Sequence, residues 1–167
     1  MIHSRLALLV CVLVSFPAAV SAREPAVLMF SGGAFDANKR VNPAAEFGLQ
    51  WRGGGRWWRL SPMAGAMATT DSAFNAYLGF SIDLPLGTRL ALRPSLAPTY
   101  YSKGNGKDLH GVVQFRSGIE AGWRFGKGLR LGLELYHLSN ASLQDRNPGE
   151  ESLVLTFAMP ASRIFGH

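Results

Sequence analysis

The sequence predicts an all-β protein, an eight-stranded antiparallel transmembrane β-barrel of the bacterial outer membrane. Side chains alternate between apolar and polar along most of the chain after residue 25, which is the period of a strand whose two faces meet different surroundings. Several of these segments exceed the roughly five or six residues of a soluble strand and suit a tilted bilayer crossing of about nine to eleven. Short and longer connections also alternate, as in outer-membrane barrels.

The N-terminal segment is expected to be a secretory signal peptide, residues 1–22, cleaved from a single barrel domain over residues 23–167. Arg5 supplies a positive start, residues 6–16 are almost wholly apolar, and residues 20–22 are small enough for a signal peptidase. The alternative, a membrane anchor, is disfavoured because the apolar stretch is short. The whole chain has one cysteine, and it lies in this segment, so a mature chain would form no disulfide and no thiolate site.

The charge of the chain first suggests nucleic acid as a partner, because the formal net charge is +6 and the pI is near 10.0. The arginines are spread along the sequence, however, and an exported chain does not meet nucleic acid. Positive charge at an outer-membrane surface instead favours contact with anionic lipopolysaccharide. The expected partners are therefore outer-membrane lipids.

Eight alternating segments are predicted to form the strands of the barrel. They are residues 25–32, 43–52, 56–68, 73–84, 88–100, 110–125, 129–141 and 151–162. One face of each is apolar and the other is charged or very small, which suits a crowded lumen rather than the apolar interior of a soluble sandwich or lipocalin-like barrel. The charged lumen side chains are predicted to be Glu46, Arg52, Arg59, Asp83, Arg89, Arg93, Arg116, Glu120, Arg124, Arg130 and Glu134.

The connections predict the orientation of the barrel. Short turns are expected at residues 53–55, 85–87 and 126–128, and they alternate with the longer links 33–42, 69–72, 101–109 and 142–150. Short turns are periplasmic and longer loops external in such barrels, so both termini are expected in the periplasm. The aromatic residues expected near the two membrane interfaces are Trp51, Trp57, Trp58, Tyr100, Tyr101 and Trp123.

Three polar side chains interrupt the apolar face near the last predicted loop. The row of leucines from 129 to 135 continues at the same period into His137 and Ser139, and the row of the next strand extends back to Glu151. All three are therefore expected to face lipid on neighbouring strands, where unpaired polar groups are costly. The alternative is that they simply emerge into the headgroup zone, where polar residues cost little.

The three residue types fit nucleophilic catalysis. Ser139 could attack an ester if His137 took its proton, and Glu151 could orient the imidazole and stabilise its charged form. Asn140, directly after the serine, offers an amide for an oxyanion hole. Each role has a rival: Glu150, which a one-residue register shift would exchange with Glu151, and Ser142, which lies outside the His-x-Ser pair.

The stretch His-Leu-Ser-Asn-Ala-Ser from residue 137, followed by Asn-Pro-Gly-Glu-Glu from residue 147, resembles the signature of the outer-membrane lipid A 3-O-deacylases, the PagL family. This resemblance implies an eight-stranded barrel that removes the ester-linked 3-hydroxyacyl chain at position 3 of lipid A, remodelling lipopolysaccharide. It implies Ser139 as nucleophile, His137 as base, Glu151 as orienting acid and Asn140 in the oxyanion hole. The C-terminus, Phe165-Gly166-His167, departs from the usual aromatic end of such barrels.

No cofactor and no metal are expected, because the histidines are scattered along the chain. Lys103, Lys107 and Arg146 are candidates to meet the phosphates of lipid A. Two other functions are kept as alternatives: a lipid A acyltransferase of the palmitoylating kind, and a non-enzymatic structural or adhesive barrel. A homodimer is left open.

Overall fold

A computed structural model describes residues 25–38, 43–54 and 60–166. The chain forms strands almost throughout, as its alternating pattern predicts. The strands are β1 (Val27–Phe35), β2 (Ala44–Arg52), β3 (Leu60–Thr69), β4 (Phe74–Ile82), β5 (Leu84–Leu86), β6 (Leu90–Ser102), β7 (Val113–Arg124), β8 (Arg130–Ser139) and β9 (Glu150–Pro160). The predicted signal peptide lies outside the described residues.

The sheet closes on itself and gives an eight-stranded antiparallel barrel. Apart from β4 and β5, each strand pairs with its neighbour in sequence, and β1 pairs with both β2 and β9. Strands β4 and β5 both pair with β6 and are separated only by Asp83, so they form one interrupted barrel strand. The predicted fold class and strand number are confirmed.

One predicted turn is displaced along the chain. Pro85 and Leu86 were expected in a turn but belong to β5, where Leu86 pairs with Leu90. The reversal occurs at residues 87–89 instead, because Gly87 adopts a φ of +86°, a conformation that costs glycine little. The turn at residues 126–128 forms as predicted, as a single 3-10 turn.

The outer face of the barrel is apolar along every strand. Leu131, Leu133 and Leu135 on β8 are each about half exposed (48%, 47% and 50%), while the residues between them are buried. The same alternation continues on β9. A wall of exposed leucine and phenylalanine is stable when it meets hydrocarbon rather than water.

The lumen is filled with paired charges. Arg52 Nη2 lies 2.8 Å from Glu120 Oε2, and Arg116 Nη2 lies 2.8 Å from Glu134 Oε1, with all four side chains buried. The Arg116 guanidinium also lies 3.9 Å from the centre of the Tyr136 ring. Such pairs offset the desolvation of their charges, so the lumen is a packed polar core.

Two side chains depart from their predicted positions. Tyr101 was expected at the membrane interface but is 2% exposed and donates a hydrogen bond to the carbonyl oxygen of Lys107. Arg89 was expected in the lumen but is exposed in the turn before β6. Both errors follow from the strand bounds: residues 87–89 form the turn, which removes Arg89 from the strand, and β6 continues to Ser102, so that Tyr101 takes the inward-facing position next to the exposed Tyr100. Trp57, Trp58 and Arg59 lie outside the described residues.

Little helix accompanies the barrel. After β9 the chain forms one short helix, α1 (Ser162–Phe165). Within the described ranges, no helix has the length and apolar character needed to cross a membrane.

Candidate active site

The hairpin of β8 and β9 positions the predicted site residues. His137 is the direct partner of Glu151 in the register of the two strands, and both side chains leave the outer face of the barrel. Each is partly exposed, 40% for the His137 side chain and 27% for that of Glu151. The lipid-facing leucine row of β8 therefore ends in polar residues, as the sequence predicts.

His137 and Glu151 are in contact. The imidazole Nδ1 lies 3.2 Å from Glu151 Oε1. The backbone of Glu151 is fixed as well, because its carbonyl oxygen accepts a 2.7 Å hydrogen bond from the Ala37 N–H beyond β1. A carboxylate on Nδ1 holds an imidazole in one orientation and leaves Nε2 for a second partner.

Glu150, the rival acid, lies on the opposite face of the sheet. Its side chain is fully buried in the barrel, where Oε2 accepts hydrogen bonds from the Asp36 N–H at 3.3 Å and the Ser152 hydroxyl at 3.0 Å. Because neighbouring strand residues face opposite ways, only one of the two glutamates can meet the imidazole. That glutamate is Glu151.

Ser139 shares the outer face with His137, two residues further along β8. Its partner on β7 is Phe115, and the partner of His137 is Ser117. Residues two apart on one strand face lie about 7 Å apart at Cα. Across the described part of the chain, the hydrogen bonds do not include one between Ser139 and His137.

Asn140 is placed differently from the other three. Its side chain is fully buried, and its amide nitrogen donates to the carbonyl oxygens of Leu109, His110 and Arg146 at 3.1, 3.0 and 2.7 Å. These carbonyls belong to two different loops, residues 103–112 and 140–149. Asn140 therefore ties the two loops together, and its predicted oxyanion role would require some of these bonds to open.

The loop after β8 begins with a tight reversal. Ala141 and Ser142 have positive φ values of 50° and 62°, a backbone conformation that stores strain in residues other than glycine. The Ser142 N–H donates to Asn140 Oδ1 at 3.0 Å, and the Asn140 N–H donates to Asn147 Oδ1 at 3.1 Å. Ser142, the rival nucleophile, is exposed in this loop beyond the end of the strand.

Three further residues near the site received no role in the sequence prediction. Ser117 is exposed beside His137 in an otherwise apolar row of β7, a signal that the same period would have revealed. Asn147 and Gly149 reach the site from the loop, and Gly149 packs against the His137 ring. Loop residues carry no period, so their proximity depends on tertiary structure.

The charges around the loops form local pairs. Lys103 Nζ lies 2.9 Å from Asp108 Oδ2, and this hydrogen bond, together with one from the His110 N–H, lowers the pKa of that carboxyl below its usual value. The expectation that Lys107 meets lipid phosphates is wrong, because its ammonium is buried against Asp36. Arg146 is exposed.

No metal centre accompanies the site in the part of the chain that the structure describes. Among residues 25–38, 43–54 and 60–166, no group of three or more His, Cys, Asp or Glu side chains is placed to hold an ion. The side chains that lie together on the outer face are the hydroxyl of Ser139, the imidazole of His137 and the carboxylate of Glu151.

The closed barrel, its apolar wall and its charged lumen define an outer-membrane protein, and its lipid-facing His-Glu pair defines a candidate hydrolase site. The family model described as lipid A 3-O-deacylase (PagL) matches residues 28–160. The chain belongs to this family.

Solved structures show the same fold. The chain is similar to the structure titled "Crystal structure of the outer membrane enzyme PagL", with a TM-score of 0.64 and 22% identity, covering 80% of this chain and 99% of that one. It is also similar to a structure titled "De novo design of transmembrane beta-barrels", with a TM-score of 0.61 and 12% identity over 83% of this chain and 97% of that one. No curated protein matches the sequence.

Proposed function

We propose that this protein is a serine esterase that hydrolyses the ester-linked 3-hydroxyacyl chain at position 3 of lipid A. The observation that carries the proposal is the 3.2 Å contact between His137 Nδ1 and Glu151 Oε1 on the lipid-facing wall, beside Ser139. Membership in the lipid A 3-O-deacylase family supports the substrate class. The reaction would remodel lipopolysaccharide in the outer membrane.

The reaction has two steps. Ser139 Oγ attacks the ester carbonyl while its proton passes to His137 Nε2, and the imidazolium is stabilised by Glu151. The 3-hydroxyl of lipid A then leaves with that proton, and the acyl chain remains on Ser139. In the second step water attacks the acyl-enzyme, with His137 again as base, and releases the 3-hydroxy fatty acid.

The position of the site suits a lipid substrate. The acyl chains of lipid A lie beside the barrel wall, so an ester at the depth of the polar headgroup meets outward-facing residues at the end of β8. With the long loops outside the cell, this depth is that of the outer leaflet. The exposed Lys103 and Arg146 side chains lie on those loops and could meet the phosphates of the headgroup.

Stabilisation of the oxyanion by Asn140 requires a rearrangement of its hydrogen bonds. Asn140 follows Ser139 directly, but its side-chain amide is bonded to three carbonyl oxygens. A contribution to the oxyanion hole would require one of those acceptors to be exchanged for the substrate oxygen. The homodimer considered from the sequence also stays a prediction.

Mass spectrometry of lipid A tests the proposal. Cells that express the wild-type protein should yield lipid A lacking one 3-hydroxyacyl chain, and cells that express Ser139→Ala should yield unchanged lipid A. Ser142→Ala is the matched control and should retain activity. Lipid A that gains a chain would support the acyltransferase alternative, and unchanged lipid A with folded wild-type protein would contradict the esterase.

A further inference from the structure

Gly149 lies directly before β9, next to the imidazole of His137. It is buried, and its φ is +60°, in the left-handed region where glycine pays no steric penalty. Glycine at this position therefore allows the backbone to turn tightly just before β9. Its position beside the ring points to a second reason for a residue without a side chain.

The imidazole occupies the space that a side chain at position 149 would need. A Cβ on Gly149 would lie 2.6 Å from His137 Cε1 and 3.2 Å from His137 Nε2, with the Leu138 carbonyl oxygen at 3.4 Å. The first distance is shorter than carbon atoms tolerate. The ring edge formed by Cε1 and Nε2 therefore rests against the backbone of Gly149.

The imidazole ring of His137 is contacted at two places by residues of one short segment, 149–151. Glu151 Oε1 contacts Nδ1 at 3.2 Å, and two residues earlier Gly149 contacts the Cε1–Nε2 edge. Cε1 stands between the two nitrogens of the ring, so these contacts restrict rotation of the imidazole about its side-chain bonds. Because His137 is partly exposed, Glu151 alone would leave its ring some freedom to rotate, and the contact with Gly149 reduces that freedom.

We propose that Gly149 is a positioning residue for the hydrolysis: it packs against His137 and directs Nε2 toward Ser139. The inference rests on the proposed function, in which His137 takes the proton of Ser139. An added methyl group would displace the ring by roughly 0.8 Å to restore an ordinary contact of 3.4 Å. Misplacement of about 1 Å in a catalytic group costs on the order of 100-fold in rate.

The nucleophilicity of Ser139 gives the readout. A fluorophosphonate probe reacts with an activated serine, and the folded barrel separates from the unfolded chain on electrophoresis without heating. The rate constant of labelling is measured on the folded band alone, so that it does not depend on the yield of folding. Ser139→Ala defines the background of this assay.

Three variants separate contact with His137 from backbone strain. Gly149→Ala adds both the contact of a Cβ with His137 and backbone strain at positive φ. Gly149→Asn also adds the Cβ, but asparagine tolerates the left-handed conformation better than alanine does. Gly87→Ala is the matched control, because Gly87 has a φ of +86° and nothing within 4 Å of an added Cβ. It lies in the turn between β5 and β6, away from the site.

We expect both Gly149 variants to label about 10- to 100-fold more slowly than wild type in the folded band, and Gly87→Ala to label at the wild-type rate. A wild-type rate in folded Gly149→Asn would overturn the inference, as would a lower yield of folded Gly149→Ala without slower labelling. These results would leave the proposed function intact. Undiminished labelling and hydrolysis in Ser139→Ala would instead contradict the proposed function itself.

Discussion

Replacing Glu151 by glutamine tests the central contact of the site. The amide keeps the size of the side chain and removes its charge, so the imidazolium formed during the reaction loses its counter-ion. His137 remains at the surface beside Ser139. The variant therefore reports what the carboxylate adds to the transition state.

The magnitude follows from the geometry. At the 3.2 Å separation of Nδ1 and Oε1, an effective dielectric constant of about 20 gives an attraction of about 5 kcal/mol. The two side chains are 40% and 27% exposed, so solvent screening weakens this attraction, and about 2–3 kcal/mol is taken from the range for a hydrogen bond to a charged group. Because 1.36 kcal/mol corresponds to tenfold in rate, kcat should fall by about 30- to 160-fold.

The assay measures initial rates of 3-hydroxy fatty acid release from lipid A in mixed micelles, normalised to folded barrel. Glu150→Gln is the matched variant on the adjacent position, and its kcat per folded molecule should stay near wild type because Glu150 faces the lumen. A Glu151→Gln variant within about threefold of wild type, a difference of about 0.7 kcal/mol, would refute the reasoning. A larger loss for Glu150→Gln would show that the register is misassigned.

Other substitutions test the loops, the lumen and the wall. Asn140→Ala should free the two loops it joins and cost about 1–3 kcal/mol, seen as faster proteolysis of those loops, and equal rates of cleavage would contradict the tie. Arg116→Met should destabilise the barrel by about 3–5 kcal/mol in urea unfolding, because Glu134 would remain buried without its partner; adding Glu134→Gln should recover part of this loss. Leu133→Arg should cost about 2–4 kcal/mol of folding in vesicles if it faces the bilayer interior, whereas Leu143→Arg in the exposed loop should cost little, and similar costs for both would argue against a lipid-facing wall.

The sequence predicts the fold well because the two faces of a barrel strand meet different surroundings, so that apolar and polar side chains alternate along it. Alternation along residues 113–125 separates the lipid face from the lumen, and β7 follows it over Val113–Arg124. The turn near Gly87 is predicted too early in the chain, since Pro85 and Gly87 are typical turn residues, but Pro85 and Leu86 pair with β6 at the end of the strand. The local sequence pattern therefore predicts the face of the sheet on which a side chain lies more reliably than it predicts the residue at which a strand ends.

The same alternation of side chains predicts part of the candidate site. His137, Ser139 and Glu151 all lie on strands, so counting by twos places them on one face. Asn140 also follows this alternation: it comes directly after the outward-facing Ser139, so its inward-facing position could have been predicted. Its three carbonyl partners could not, because they come from loops that only the folded barrel brings together.

The sequence alone determined that this chain is a barrel with three polar residues on its lipid-facing side, because side-chain alternation is a local consequence of strand geometry. The tertiary structure alone decided which atoms meet. The register between β8 and β9 places Glu151 directly opposite His137, so that the carboxylate and the imidazole are in contact. The loop before β9 brings Gly149 to the other edge of that ring, since contacts across a hairpin depend on backbone path and not on sequence period.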